Sequence, residues 1–189
     1  MSDRPRKLIV LERVTLDGVF DAASMAEWDF PYDSASRMAV IAGGIHASDA
    51  YLLGRTTYGM RAPGWSALKH NEHGVADQLN RMAKYVVSST LEHAGWNNST
   101  VLRGDALRQI AALKQQPGQS ILVHGSATLV RALLAADLVD ELQLLVHPVV
   151  LGHGLKLFKD QEPLARFDLV EARPLDLGVA LLRYQPSAH

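Results

Sequence analysis

Ala50-Tyr51-Leu52-Leu53-Gly54-Arg55-Thr56-Thr57-Tyr58 holds the pattern on which the fold turns. Ala50–Leu53 reads as a buried strand stopped by Gly54, and Thr56–Met60 as a short helix ahead of the Pro63-Gly64 break. The design recurs. Lys84–Val87 is a strand that ends in Ser88-Ser89-Thr90, and Thr100–Leu102 is another that precedes a helix over Asp105–Gln115. Ile121–His124 is a further apolar strand, and Gly125-Ser126 opens a helix with Leu129, Val130, Leu133 and Leu134 on one face.

Upstream, Lys7–Val14 is rich in Leu, Ile and Val, and Asp17-Gly18 supplies the turn after it. Ser34–Ala47 places Met38, Ile41, Ala42 and Ile45 at helical spacing, capped by Asp33 or Ser34. After Asp137 the period changes. Glu141–Val146 and Val149–Leu151 are β-like on either side of Pro148, and Phe167–Glu171 with Val179–Tyr184 forms a closing hairpin. Strand and helix alternate first and strands alone follow, which predicts an α/β domain with a mainly parallel sheet and antiparallel strands at its C-terminal end.

The chain has 189 residues, 48% of them hydrophobic and 21% charged, and no linker or repeat divides it. One domain over residues 1–189 is expected. A formal net charge of −1 argues against a polyanionic partner, so nucleic acid is not expected. With no cysteine, disulfides, thiolate metal sites and Cys nucleophiles are all excluded. The apolar run Leu8–Leu11 is interrupted at once by Glu12 and Arg13, too short for a signal core, and no stretch approaches a membrane span. The expected location is the cytoplasm, with no membrane partner.

In open α/β sheets, ligands gather at the carboxyl ends of strands, where helix N-termini point N–H groups outward. Three strand ends here carry small or hydroxylated residues: Gly54-Arg55-Thr56-Thr57, Ser88-Ser89-Thr90 and Gly125-Ser126-Ala127-Thr128. Each alone reads equally as a cap or turn. Together, with Arg55 able to fork onto phosphate, they point to a phosphate-bearing nucleotide. Neither a P-loop nor G-x-G-x-x-G is present, and Gly152-His153-Gly154 reads as a turn. His70 and His73 flank Glu72 in a polar loop without H-E-x-x-H, so no metal is expected. His147 reads as a packed or interfacial ring, and no G-x-S-x-G elbow marks a hydrolase.

Taken in order, these pieces resemble the dihydrofolate reductase fold, and within it the branch of the C-terminal reductase domain of the bifunctional riboflavin-biosynthesis protein. The pieces are Thr15-Leu16-Asp17-Gly18-Val19, the Leu52–Tyr58 run with Trp65 beyond, Lys84–Leu91, Val123-His124-Gly125-Ser126, and Asp140-Glu141-Leu142 leading to His147–Gly154. The resemblance implies helices on both faces of the sheet and reduction of a nitrogen heterocycle by NADPH. It implies that the Gly54–Thr57 and Ser88–Thr90 ends hold the phosphorylated adenosine and that Gly125–Thr128 receives the pyrophosphate. It also implies a homodimer paired through Glu141–Leu151 and Val179–Tyr184, whose apolar runs need a second cover.

On the substrate side the resemblance implies a ribosylaminopyrimidine phosphate, as for 5-amino-6-(5-phosphoribosylamino)uracil reductases. The zinc deaminase usually joined to such reductases has no counterpart in this chain. Trp28-Asp29-Phe30-Pro31-Tyr32-Asp33 reproduces the W-x-x-P-x-D spacing by which dihydrofolate reductases bring a carboxylate onto the pterin. Asp33 is therefore read either as the ring carboxylate and proton donor, beside Trp28, or as a helix cap. Asp17 is the second candidate, with a turn as its alternative. Dihydrofolate reduction, or a nucleotide-binding protein that kept the fold without turnover, are the competing functions.

Overall fold

A computed structural model of the chain describes residues 5–159 and 164–187; the start of the basic N-terminal stretch, Met1–Arg4, lies outside them. Eight strands form one sheet in the order β4-β3-β2-β5-β1-β6-β8-β7. They are β1 Leu8–Thr15, β2 Ser48–Gly54, β3 Ala83–Val87, β4 Ser99–Leu102, β5 Ser120–Val123, β6 Glu141–His147, β7 Phe167–Pro174 and β8 Ala180–Pro186. The first six run parallel, and β8 and β7 close the sheet antiparallel. The helices are α1 Met25–Trp28, α2 Ala35–His46, α3 Arg55–Ala67, α4 Ala76–Arg81, α5 Ala106–Lys114 and α6 Ala127–Ala135.

β1 lies between β5 and β6, covered on both faces, which is why five of its eight residues are Leu, Ile or Val. Leu8, Val10 and Val14 point into a core shared with α5 and α6, whereas Leu11 points into a second core with residues of α2, α3 and α4. Helices thus cover both faces. Each fully buried Leu or Val contributes about 1.5–3 kcal/mol, so the two cores fix the register of β1 and with it the height at which Glu12 and Arg13 emerge.

Three expectations are corrected. The helix expected to stop before Pro63 runs from Arg55 to Ala67. Pro63 removes only the bond to the Gly59 carbonyl, and both residues are exposed, so water can take the freed group. Val149–Leu151 is not a strand, because the Leu151 and Gly152 N–H groups are taken by the Asp17 carboxylate instead of a ladder. Of the two proposed caps of α2, Ser34 is the one that accepts the Arg37 N–H, at 3.3 Å. Among the described residues no helix is long and apolar enough to cross a membrane.

Candidate functional site

Parallel strands present their carboxyl ends on one edge, and there β2 and β5 touch. A Cβ placed on Gly54 would stand 2.5 Å from Ser126 Oγ, and one on Gly125 would stand 3.0 Å from Thr57 Oγ1 and 3.1 Å from Phe20 Cζ. Gly125 also has φ +82°, the left-handed region that glycine accepts without strain. These two glycines let the start of α3 meet the start of α6. Ser126 caps α6 by accepting the Leu129 N–H at 3.4 Å. The preceding amides of Ala127 and Thr128 have no acceptor among the described residues and lie at the positive end of α6.

Just past the end of β3, the buried Ser88 hydroxyl accepts N–H bonds from Thr90 (3.1 Å) and Leu91 (2.9 Å), so it builds the turn that leaves Ser89 and Thr90 exposed. Arg55 and Thr56 are exposed at the head of α3. Arg55 borders an open cavity of about 420 Å³ with Tyr58, Leu91 and Trp96. The three strand ends picked out by the sequence therefore share one edge.

A second cavity, of about 250 Å³, opens beside the Gly54–Ser126 junction. Phe20, Met25, Trp28, Phe30 and Met60 give it apolar walls, and Glu12, Arg13, Thr57, Arg61 and His124 are its polar groups. Glu12 is 3% exposed and accepts the Gly125 N–H. Burial pushes its carboxyl up to about 8, against the opposing pull of that bond and of Arg61 and Arg13. His124 is buried too, with Nδ1 3.0 Å from Tyr51 Oη. Burial, with Arg61 and Arg13 nearby, holds its pKa well below the ordinary histidine value, so the ring is neutral. Its Nε2 has no hydrogen-bond partner among the described residues.

Behind this wall sits Asp29, wholly buried. Its carboxylate takes Arg13 Nη1 at 2.7 Å and Arg37 Nη1 at 2.6 Å, and His147 Nε2 lies 3.2 Å away. Burial alone would raise its pKa, but the His147 contact and the two guanidinium groups outweigh burial and hold it below the ordinary value. Trp28 is buried against His147, edge-on at 5.2 Å.

Asp33 is placed elsewhere. Its side chain is 63% exposed, bonds Arg37 Nη2 at 2.9 Å, and does not line the cavity. The buried carboxylate of the Trp28–Asp33 stretch is Asp29, because the turn at Phe30–Tyr32 carries Asp33 outward to the foot of α2. Asp17 accepts from Thr15 Oγ1 (2.6 Å) and from the Leu151 and Gly152 amides (3.1 and 2.8 Å), and these bonds draw its pKa down to about 2. It is an ionised staple between two loops, with no proton to donate near neutrality. His70 and His73 are exposed, and among the described residues no cluster of three or more His, Asp or Glu is arranged to hold a metal.

Glu12, Arg13, Arg61 and His124 were not chosen from the sequence. Two charges in the middle of a central strand were the available signal for the first pair: Glu12 stands opposite Leu144, where an apolar side chain would add about 1.5–3 kcal/mol of burial. A charged residue at so protected a position breaks the apolar pattern of its strand, and that break is what marks it as a candidate.

A model of the RibD C-terminal domain family matches residues 6–181. The chain belongs to that family. The uncharacterized protein YyaP of Bacillus subtilis is 35% identical over 101 residues, 53% of each chain. The chain spans about half the length of the curated relatives it matches. Among solved structures, a pyrimidine reductase-like protein of Corynebacterium diphtheriae superposes with TM-score 0.71 at 15% identity, covering 99% of this chain and 94% of that one. Dihydrofolate reductase of Enterococcus faecalis, in complex with NADP(H) and RAB-propyl, gives TM-score 0.65 at 14% identity over 96% and 97% of the two chains. The RibD-family chain thus has the dihydrofolate reductase-like fold, with the antiparallel β8-β7 pair as its C-terminal edge.

Proposed function

We propose that this RibD-family chain is an NADPH-dependent reductase of a nitrogen heterocycle, most like a 5-amino-6-(5-phosphoribosylamino)uracil reductase. The observation that carries the reading is the junction at Gly125. Its N–H is bonded to Glu12 in the aromatic-walled cavity, while the next residues open α6 with two unengaged amides. A ring site and an anion site therefore meet at one residue. The residues present fit the cofactor: Ala127 and Thr128 amides for the pyrophosphate, Arg55 with Ser89 and Thr90 for the ribose phosphate, and the buried, unpaired His124 Nε2 as a polar group facing the ring site. When bound there, NADPH supplies a hydride equivalent for a C=N bond.

The chain's own residues do the rest. Trp28, Phe20 and Phe30 exclude water from a flat ring, and Asp29 holds Arg13 at the cavity wall. Arg61, which forms no salt bridge among the described residues, offers a cation to a substrate phosphate. Dihydrofolate reduction fits less well, since the carboxylate that suggested it, Asp33, lies outside the cavity. The test is loss of reduced-nicotinamide absorbance when the protein meets NADPH with 5-amino-6-(5-phosphoribosylamino)uracil or with dihydrofolate. Consumption with the first compound is the expected result, and consumption with the second alone would make the chain a dihydrofolate reductase.

A symmetric dimer belongs to the same proposal. The end of the sheet exposes Leu169 and Val170 on β7 and leaves Leu144, Val146 and Tyr184 half-buried. An apolar patch of this kind is suited to burial against its own copy. Sedimentation at micromolar concentration should give twice the chain mass; a monomer there removes the dimer and leaves the reductase reading in place.

A further inference from the structure

We propose that Glu12 is the proton donor of the reduction; the proposal rests on the reductase reading above and adds the residue that completes it. Among the described residues Glu12 is the only carboxyl lining the ring cavity. The competing carboxylates are each committed elsewhere: Asp33 outside on Arg37, Asp17 on three donors, and Asp29 behind the wall on Arg13 and Arg37. The Gly125 N–H holds Glu12 Oε1, which leaves Oε2 to carry the proton into the cavity. Since Gly125 immediately precedes Ser126, the cap of α6, one bond ties the acid to the edge where the dinucleotide is proposed to lie.

The groups that face the Glu12 carboxyl are Arg13 from its own strand, Arg61 from α3, Tyr51 from β2 and the neutral His124 beyond β5. Two cations would strip the proton from an exposed carboxyl, but burial outweighs them here and the acid stays protonated through neutral pH. An acid of that strength suits a donor working near pH 7. As the carbon of the C=N bond accepts hydride, the π pair moves to nitrogen and forms a bond to the Glu12 proton. The hydride carries both electrons and one hydrogen to carbon, the Glu12 proton supplies the second hydrogen at nitrogen while the O–H bonding pair stays on the carboxylate, and solvent then returns a proton to that carboxylate.

Glu12→Gln keeps an oxygen for the Gly125 N–H and removes the acid, whereas Glu12→Asp keeps an acid. Infrared titration of the protein without cofactor should show a protonated-carboxyl band that fades with a midpoint near pH 8 and is absent from Glu12→Gln. On whichever of 5-amino-6-(5-phosphoribosylamino)uracil and dihydrofolate is reduced, kcat should fall above about pH 8. Glu12→Gln should lower it by about 10²–10⁴ with NADPH affinity nearly unchanged, and Glu12→Asp should recover part of the loss. A carboxyl already ionised at pH 6, with no substrate needed to see it, or native turnover in Glu12→Gln, overturns the proposal. Failure of the native protein to bind NADPH overturns the reductase reading instead, and the infrared result remains separately readable.

Discussion

Asp29→Ala is expected to destabilise the protein by about 3–5 kcal/mol. Asp29 has no exposed surface and bonds two guanidinium groups, one of them, on Arg37, itself only 5% exposed. Removing the carboxylate leaves the buried Arg37 with only its bond to the exposed Asp33 and leaves Arg13 with no salt bridge among the described residues. Asp33→Ala breaks the other bond to Arg37 at an exposed position and should cost no more than about 1 kcal/mol. Urea midpoints of the two variants check this. Similar midpoints would mean that the Asp29 cluster does not hold the cavity wall, and with it the orientation of Arg13.

The second expectation concerns pH. Glu12 has an ordinary value of 4.5 and a folded value of about 8, so between these limits the folded chain holds a proton that the unfolded chain has released. Stability from Glu12 is complete below about 4.5 and is lost as pH rises through 8. His124 acts in the opposite sense: it stays neutral in the fold, whereas the unfolded ring takes up a proton below 6.5, so its contribution grows as pH rises toward 6.5. One proton each way cancels between about pH 5 and 6.5. From 6.5 to 8 only Glu12 remains, and stability should fall by roughly 1.4 kcal/mol per pH unit, or about 2 kcal/mol across the window. The buried Lys84, whose pKa burial lowers to about 8, acts in the alkaline range above it. Glu12→Gln should abolish the decline and leave a rise that levels off near 6.5. A native protein equally stable at pH 6.5 and 8 would show that Glu12 is ionised.

Much of the fold was legible because the buried strands follow simple patterns. Ala50–Leu53 and Ile121–Val123 are buried throughout and carry no charge, and Gly54 and Gly125 follow close on their ends. Gly54, Thr57, Gly125 and Ser126 do converge, as their shared type suggested, because parallel strands deliver their ends to one edge. What stayed hidden depended on direction rather than composition. Asp29 and Asp33 are four residues apart, and only the 3-10 turn between them decides which is buried. Glu12 and Arg13 were visible as charges that interrupt an apolar run, but a sequence does not show that their strand becomes the centre of the sheet. Arg61 and His124 reach the same cavity from different elements, and no local pattern links them.

NADPH binding at the strand-end edge is the proposal on which the reductase function rests. Its most direct test is a titration of NADPH and NADH into the native protein and into Arg55→Ala. Charge-assisted bonds to the extra ribose phosphate contribute about 1.5–3 kcal/mol, so the native protein should prefer NADPH by roughly tenfold or more and the variant should lose that preference. Equal affinities for the two dinucleotides in the native protein, or a preference unchanged in Arg55→Ala, would contradict the account.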